Sequence, residues 1–416
     1  MTPSANQRPS FSMESPDTAI ARLASRLQVL GTEQASIGAS SGRVLREPIR
    51  ADRDSPAADV SAMDGYAVRL ADLQQSGPLN VVGESRPGHA PPTPDASAVM
   101  RVFTGGIVPG AFDAVIRRED TVEQPASIRL LEPAKQAPVG LNIRRRGENG
   151  SQGAAIVPAG TLLSAGSIAA AANFGAAEVT VTRPVRISIL VTGDELRFVD
   201  QTVQPWQLRD SNGHSLEALL NPRPWIKTLP ARTAADALET ISGELHAALA
   251  ISDAVVLTGG VSMGDHDHVP AAVRACGGEV VFHRLPLRPG KPILGAATGE
   301  GKLILGLPGN PVSATVCARR FLLPLLGSIA GQSAVPRPAV RFLDPHAKQL
   351  PLWWMRLVRL NSQGLAEPVP TMGSGDLVSL ANSDGFIEQP PRSTDADASS
   401  DATASDAFEY WSWTSS

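Results

Sequence analysis

The chain has 416 residues, 42% of them hydrophobic, with a formal net charge of -4 and a pI near 6.0. A chain of this length exceeds the roughly 250–300 residues at which a single core stops growing, so we expect three or four domains. The weak acidic charge gives no support to nonspecific binding of nucleic acid or of a membrane surface.

Both ends of the chain are predicted to be disordered tails, because residues 1–15 and most of 391–416 have too few large apolar residues to offset the entropy of ordering. In the second tail, the aromatic cluster Phe408–Trp413 is expected to dock on the body of the protein. No signal-peptide pattern and no run of about 18 apolar residues occurs. Cys276 and Cys317 are isolated, which argues against disulfides and zinc sites. A cytoplasmic protein is expected.

The first part of the chain is predicted to be a helical domain interrupted by a small β domain. Apolar residues recur at helical spacing from Pro16 to Leu30 and again from Ala165 to Phe174. Short apolar runs broken by Gly and Pro separate the two helices and predict strands. We therefore assign residues 16–52 and 144–184 to a discontinuous helical domain I, and residues 53–143 to an inserted β domain II.

Strands and helices alternate from residue 185 onward, a pattern typical of a parallel sheet covered on both faces. The predicted strands include Ile187–Thr192, Trp225–Leu229, Ala254–Leu257, Val280–Leu287 and Leu303–Leu307, and the predicted helices include Ser215–Leu220, Ala234–Leu249, Val269–Cys276 and Val312–Leu326. This predicts a doubly wound α/β domain III over residues 185–332. Short strands, at Val340–Leu343 and Trp353–Leu360, then predict a small β domain IV over residues 333–390.

Four segments of domain III fall at strand ends or helix starts, where doubly wound sheets bind ligands. They are Thr192–Glu195, Asp210–Asn212, Thr258–Asp267 and Leu307–Pro311. Glycines there allow close approach of backbone N–H groups to an oxyanion such as phosphate. Glu195, Asp265 and Asp267 would repel a bare anion. A Mg²⁺ ion between these carboxylates and the phosphate would remove that repulsion. Each segment alone is better explained as a helix cap or turn, but the four together favour a nucleotide and magnesium site.

Two basic segments are candidates for holding an oxyanion. The turn Arg144–Asn149 groups three arginines, although a solvated basic turn explains it equally well. In Arg288–Pro292, two prolines restrict the backbone, so Arg288 and Lys291 are presented together. An oxyanion site is expected at this second loop.

Taken in order, the motifs of the chain resemble the MoeA-type molybdopterin molybdenumtransferases, including the E domain of gephyrin. The matching segments are Ser61–Arg69, Thr104–Gly105, Asn142–Glu148, Thr192–Leu196, Gly259–Gly264, Pro289–Pro292 and Leu307–Pro311. The resemblance extends from about residue 16 to about residue 390. It implies the same order of domains, with a molybdopterin-binding domain III and a β-barrel-like domain IV, in a homodimer.

The resemblance also implies the activity and the site residues. The enzyme would insert molybdate into adenylylated molybdopterin with Mg²⁺ as cofactor, release AMP, and supply an apo-molybdoenzyme. The implied catalytic residues are Asp64 and Thr104, from the partner subunit, with Glu195 and Asp267; the metal ligands are Glu195, Asp265 and Asp267. The implied substrate contacts are Gly259, Gly260, Ser262, Gly264, Arg284, Pro308, Gly309, Asn310 and Pro311. The implied molybdate contacts are Arg288, Lys291, Arg356 and Ser374.

The chain departs from the family pattern at two acidic positions. Asn149 stands where Asp is usual, and Thr233 replaces the acid that follows the next strand of domain III. Because magnesium is held by oxygen ligands, losing two carboxylates keeps an alternative open: a non-catalytic protein that binds molybdopterin or the finished cofactor on the same fold. A kinase or adenylyltransferase is less well supported, since the sequence has no Walker loop.

Overall fold

The computed structural model describes residues 14–262, 267–344, 350–391 and 407–414. It begins with helix α1 (Pro16–Ala24), whose first turn is capped by the Ser15 hydroxyl, which accepts the Thr18 N–H at 3.1 Å. Ser15, predicted to lie in a tail, is therefore part of the helix start. The helix is shorter than expected, and its buried face packs on the core of domain III, not within domain I.

The chain then passes through domain I into domain II. Three short strands of the first part are β1 (Thr32–Ser36), β2 (Ile49–Arg50) and β3 (Val60–Ser61). The elements of domain II are β4 (Gly65–Val68), α2 (Leu70–Leu73), β5 (Leu79–Ser85), β6 (Val99–Val102), β7 (Ala114–Arg117), β8 (Thr121–Gln124) and β9 (Ser127–Leu130). Its six strands form one sheet in the order β7-β4-β6-β5-β9-β8. The inserted β domain was predicted from its short, glycine-broken apolar runs.

The chain returns to domain I with β10 (Ile143–Arg144), β11 (Ala155–Val157), α3 (Ala165–Asn173) and β12 (Glu178–Thr182). Each returning strand pairs antiparallel with an outgoing one: β12 with β1, β11 with β2 and β10 with β3. Domain I is therefore closed by strands from its two parts. Its own described helix, α3, is capped by the Ser164 hydroxyl, which accepts the Ser167 N–H.

Domain III is an α/β domain built on a sheet of seven strands in the order β16-β13-β18-β22-β21-β19, with β17 also paired to β13. Its elements are β13 (Val185–Thr192), β14 (Leu196–Arg197), β15 (Leu208–Arg209), α4 (Asn212–Leu220), β16 (Ile226–Thr228), β17 (Arg232–Ala234), α5 (Leu238–Ile251), β18 (Ala254–Thr258), α6 (Val269–Ala275), β19 (Gly278–His283), β20 (Leu287–Arg288), β21 (Leu294–Thr298), β22 (Leu303–Leu307), α7 (Pro311–Cys317) and α8 (Leu323–Ala330). Strands β16, β13, β18 and β22 are parallel, whereas β21 and β19 add an antiparallel edge.

Both faces of this sheet are covered, as its nearly continuous apolar strands predict. One face packs on α1, α4, α7 and α8, and the other on α5 and α6. A five-residue π-helical turn, Ala318–Leu322, joins α7 to α8. The combined segment Pro311–Ala330 is apolar and long enough to cross a membrane, but 89% of an 18-residue window within it is buried inside the protein, as in a core helix.

Domain IV is a curved sheet in the order β20-β24-β26-β27-β23, with β25 paired to β24. Its own elements are β23 (Ala339–Arg341), β24 (Trp353–Leu360), β25 (Ala366–Pro368), α9 (Leu377–Ala381), β26 (Gly385–Gln389) and β27 (Ala407–Ser412). A bridge between Phe342 and Ala366 joins the two ends of the sheet, which gives it the expected barrel-like form. The prediction of a flexible tail over 391–416 is wrong for residues 407–414, because β27 pairs with both β26 and β23.

Burial of aromatic rings explains why this last strand is ordered. Trp411 is 4% exposed and stacks on Phe386, with ring centroids 6.0 Å apart. The guanidinium groups of Arg320 and Arg337 lie 4.6 and 4.5 Å from the Trp411 ring. The aromatic cluster at the C-terminus thus docks on the protein itself, as expected.

Arg320, in the π-helical turn of domain III, is fully buried and connects three parts of the chain. Its guanidinium donates to Asp17 of α1 at 2.9 Å and to Glu388 of β26 at 3.1 Å. Glu388 is itself 7% exposed. A buried charge needs a buried counter-charge, so this contact fixes domain IV against domain III.

We expect Glu388→Ala to lower the free energy of unfolding by about 3–5 kcal/mol, because it leaves the buried guanidinium of Arg320 without its buried partner. Glu409→Ala is the matched control, since Glu409 pairs with Arg337 in a half-exposed ion pair and its loss should cost about 1 kcal/mol or less. Urea denaturation of both variants measures the difference. Equal losses would contradict the role assigned to Arg320.

Candidate functional site

A cavity of about 690 Å³ lies where domain III meets domain IV. Four side chains that the sequence predicted for molybdate line it together: Arg288, Lys291, Arg356 and Ser374. They come from β20, the loop after it, β24, and the loop before α9. Strand β20 brings them together, because this domain III segment pairs with β24 of domain IV, Arg288 opposite Trp354.

The charged side chains that line the cavity, Arg288, Lys291 and Arg356, are all cationic. Among the described residues that line it, none is acidic. Arg288 and Arg356 lie over the same Trp354 ring, at 5.5 and 4.6 Å from its centroid, and Arg356 donates weakly to Asp344 at 3.3 Å. Trp354 was not predicted as a site residue, and nothing in the sequence singles it out. Guanidinium groups held this way present N–H donors suited to an oxyanion.

The loop after β22 forms the wall next to these cations. Pro308 and Asn310 line the cavity, and the Asn310 side chain donates to the Ser374 hydroxyl at 3.0 Å. The carbonyl of Gly309 accepts the Asn212 side chain of α4 at 2.8 Å. Pro311 is the first residue of α7. The Leu307–Pro311 motif therefore links helix α4, helix α7 and domain IV at one point.

A glycine turn ends the neighbouring strand β18. Gly259 and Gly260 have φ values of +91° and +60°, and a Cβ on Gly259 would lie 2.6 Å from the Thr192 carbonyl oxygen. Beside the turn, the buried Asn212 Oδ1 and Thr258 Oγ1 have no hydrogen-bond partner within the described ranges. Buried polar atoms are nearly always bonded, so these two atoms are exceptions among the described residues. Ser262 follows the turn and is exposed.

Three acidic residues lie near the end of β13. Glu195 and Asp194 follow that strand, and the Asp236 N–H donates to Asp194 Oδ1 at 3.1 Å. Burial, and then the charges of Asp194 and Glu195, raise the pKa of Asp236 above its ordinary value. The sequence did not identify Asp236, which lies three residues after Thr233. Asp236 therefore adds a carboxylate to the segment that follows Thr233.

The remaining predicted residues of domain III lie outside the cationic cavity or outside the described residues. Asp267 is half-buried just before α6, and Arg284 is half-buried after β19; neither belongs to the described lining. Gly264 and Asp265 lie outside the described residues.

Asp64 and Thr104 meet at one end of the domain II sheet. The Thr104 backbone N–H and hydroxyl both donate to Asp64 Oδ1, each at 2.8 Å. These two hydrogen bonds hold the pKa of Asp64 below its ordinary value, the backbone bond having the larger effect. The small cavity beside Asp64 is lined by domain II residues. The hydrogen-bonded pair is thus already formed in the single chain. Among the described residues that line its cavity, none comes from domain III.

The arginine turn of domain I binds its own chain. Arg144 donates to Glu148 at 2.5 Å and to the Asn149 side chain at 2.8 Å, while Arg145 and Arg146 pair with Asp59 and Asp54. The described contacts therefore support the structural interpretation of this turn. Asn149 has a structural role in it as a hydrogen-bond acceptor.

We expect Thr104→Val to raise the pKa of Asp64 towards its ordinary value, because only the backbone donor remains. The stability that the ionised Asp64 contributes is present above its unfolded-state pKa and is lost as pH falls through its folded-state pKa, so in the variant this contribution should be smaller and its loss should be complete at a higher pH. Carboxyl-carbon NMR titration measures the shift. Thr121→Val, which removes a hydroxyl bonded to the Arg118 carbonyl, is the control; identical Asp64 titrations in both variants would contradict the assignment.

Three domain families match the chain in order. The MoeA N-terminal region (domain I and II) matches residues 14–175, a probable molybdopterin binding domain matches 188–328, and the MoeA C-terminal region (domain IV) matches 343–402. These boundaries agree with the order of the domains described above.

Similar proteins cover most of the chain. A molybdopterin molybdenumtransferase of Nostoc sp. is 35% identical over 311 residues, which are 72% of this chain and 70% of the relative. One from Haemophilus influenzae is 35% identical over 310 residues, 74% of this chain and 75% of the relative. The crystal structure of a molybdopterin biosynthesis MoeA protein from Pyrococcus horikoshii is 26% identical, covers 97% of this chain and 100% of that chain, and has a TM-score of 0.72. The chain therefore belongs to the molybdopterin molybdenumtransferase family of molybdenum-cofactor biosynthesis.

Proposed function

We propose that the protein inserts molybdate into adenylylated molybdopterin and releases AMP in a Mg²⁺-dependent reaction. The observation that carries the proposal is the cavity in which Arg288, Lys291 and Arg356 converge without an acidic residue among the described lining. Molybdate is a tetrahedral dianion, and positively charged donors around a partly enclosed space are what such an ion requires. The Ser374 hydroxyl adds a neutral donor.

The acidic edge of domain III fits Mg²⁺ in the chemistry of its donors. Mg²⁺ prefers carboxylate oxygens, and Asp236 Oδ1 is buried with no hydrogen-bond partner among the described residues. A cation beside Asp194, Glu195 and Asp236 would offset the repulsion that raises the pKa of Asp236. Within the described ranges no three His, Cys, Asp or Glu side chains are placed so that they could hold a metal ion together. The rest of the coordination shell would come from water and substrate phosphate, as is usual for Mg²⁺.

In this proposal different groups of residues bind the magnesium ion, the substrate and molybdate. Bound magnesium would neutralise charge on the pyrophosphate, whose hydrolysis consumes one water and gives AMP. Glu195 and Asp236 would hold the ion, and the N–H groups of the Gly259 turn would orient the substrate. Arg288, Lys291 and Arg356 would hold molybdate next to the dithiolene that receives it. Asp267 is a further candidate for the acidic group at this edge.

We propose a homodimer in which Asp64 reaches the site of a second copy. Asp64 and Thr104 form a preformed pair whose cavity is lined by domain II residues, whereas the acidic edge and the cationic cavity belong to domains III and IV. A shared site would bring the two sets together across the interface. The same arrangement would explain why Asp64, a carboxyl group with a lowered pKa, lies on the surface of domain II.

Arg356→Ala should raise the molybdate concentration needed for half-maximal AMP release at least tenfold, since a charged hydrogen bond contributes roughly 1.5–3 kcal/mol. Arg359→Ala is the matched control on the same strand, because Arg359 donates to the Asn382 carbonyl outside the cavity lining. AMP is measured by chromatography at several molybdate concentrations. A similar change in both variants would remove Arg356 from the molybdate site.

Asp64→Ala and Glu195→Ala should each abolish turnover alone, while a mixture allowed to exchange subunits should recover about a quarter of the wild-type sites, since half of the dimers are mixed and each has one intact site. Recovery is measured as AMP release after co-refolding equal amounts. No recovery, with mixed dimers demonstrated by mass spectrometry, would argue for sites built within one chain.

The decisive test of the function is AMP release from adenylylated molybdopterin by the purified protein, with Mg²⁺ and with or without molybdate, followed by addition of an apo-molybdoenzyme. Molybdate-stimulated release and reconstitution of the acceptor are expected. Tight binding without release would instead support a cofactor-binding protein on the same fold, the outcome that the replacements Asn149 and Thr233 leave open.

A further inference from the structure

We propose that Trp354 is a positioning residue of the cationic cavity, and that its ring holds Arg288 and Arg356 in the arrangement that favours a tetrahedral dianion. The inference rests on the proposed function and deepens it, because it names the residue that sets the affinity and the charge selectivity of the molybdate site. Trp354 lines the cavity and belongs to β24, an interior strand of the domain IV sheet. It acts through the two arginines and takes no part in the chemistry.

The backbone of Trp354 is held from both sides. On one side it lies opposite Arg288 of β20, and on the other side it lies opposite Gln389 of β26. Side chains that project from the interior of a sheet are placed more precisely than those on loops. The half-buried Trp354 ring is therefore a fixed surface in the wall of the cavity.

Arg288 has its described side-chain contact on this ring. The residue is exposed, its guanidinium carbon lies 5.5 Å from the Trp354 ring centroid, and within the described ranges it forms no ion pair. A long side chain loses conformational entropy when it is fixed on a bound ion. A ring that already holds the guanidinium reduces that loss, which raises the affinity for the ion.

Arg356 contacts the same ring and one more. Its guanidinium carbon lies 4.6 Å from the centroid of Trp354 and 4.5 Å from that of the buried Phe342. Its ion pair with Asp344 is long, at 3.3 Å, and the Asp344 side chain is 43% exposed. A ring face attracts a cation without accepting its N–H groups as a carboxylate does. The donors of Arg356 are thus held in place and can still bind an oxyanion.

The two contacts together predict a preference for charge. Trp354 is the ring that Arg288 and Arg356 share, so it holds two positive charges beside one space. A dianion such as molybdate gains from both charges, whereas a tetrahedral monoanion such as perrhenate gains less. Loss of the shared ring should therefore weaken the binding of the dianion more than that of the monoanion.

The test is calorimetric titration of the full-length protein with sodium molybdate and, separately, with sodium perrhenate. Trp354→Leu should weaken molybdate binding about tenfold, because it removes one cation–π contact from each arginine. The same change should weaken perrhenate binding less. Trp354→Phe keeps a ring face and should recover most of the molybdate affinity. In the AMP-release assay, Trp354→Leu should raise the half-saturating molybdate concentration while the maximal rate stays close to that of the wild type.

Trp353→Leu is the matched control. Trp353 is the neighbouring half-buried tryptophan on β24, but it packs against the apolar core of domain III and lies outside the described lining of the cavity. This variant should lose thermal stability and bind molybdate as the wild type does. Thermal denaturation of all the variants separates a loss of stability from a loss of affinity.

Equal molybdate affinity in the wild type and Trp354→Leu, an equal loss in Trp353→Leu, or no molybdate binding by the wild type would each overturn the positioning role. AMP release separates this inference from the proposed function. Molybdate-stimulated release with an unchanged half-saturating concentration in Trp354→Leu would contradict the positioning role alone. Trp354-dependent molybdate binding without AMP release would support the positioning role and contradict the transferase reaction.

Discussion

The buried guanidinium of Arg320 is the contact on which the arrangement of the C-terminal half depends. It lies in the π-helical turn of domain III, yet its partners Asp17 and Glu388 belong to α1 and to domain IV, and Trp411 of the last strand covers it. A buried charge is stable only where carboxylates and other favourable groups surround it. Its two carboxylate partners and the Trp411 ring therefore fix α1, β26 and β27 around the π-helical turn. The cationic cavity exists because domain IV is held against domain III.

Strand β20 also holds domain IV against domain III, and it does so directly at the cationic cavity. It lies in the domain III part of the sequence but pairs with β24 of domain IV, and this pairing sets Arg288 beside Trp354 and Arg356. The cations of the cavity therefore do not depend on two domains meeting by surface contact alone. Backbone pairing holds Arg288 opposite Trp354, and the guanidinium groups of Arg288 and Arg356 both lie over the Trp354 ring, where Arg356 also pairs with Asp344.

The two positions at which an acidic residue was expected, Thr233 and Asn149, have different surroundings in the structure. Thr233 lies on β17 and carries no carboxylate. Asp236 is held next to Asp194 by a backbone hydrogen bond, and burial together with the charges of Asp194 and Glu195 raises its pKa. Asn149, in contrast, is engaged by Arg144 within the domain I turn. Asp236 thus supplies a carboxylate three residues after Thr233, whereas Asn149 takes part in the local structure of its turn.

The sequence by itself determined the order of the domains, the parallel strands of domain III and the cationic loop Arg288–Pro292, because apolar periodicity, glycine turns and proline restriction act over a few residues. It failed for the last strand, since residues 407–414 gain their order from remote partners around Trp411. It also missed Trp354 and Asp236, whose place in the site comes from strand pairing and from a loop contact. Only the tertiary structure decided these features, because burial and charge proximity between distant segments leave no local pattern in the sequence.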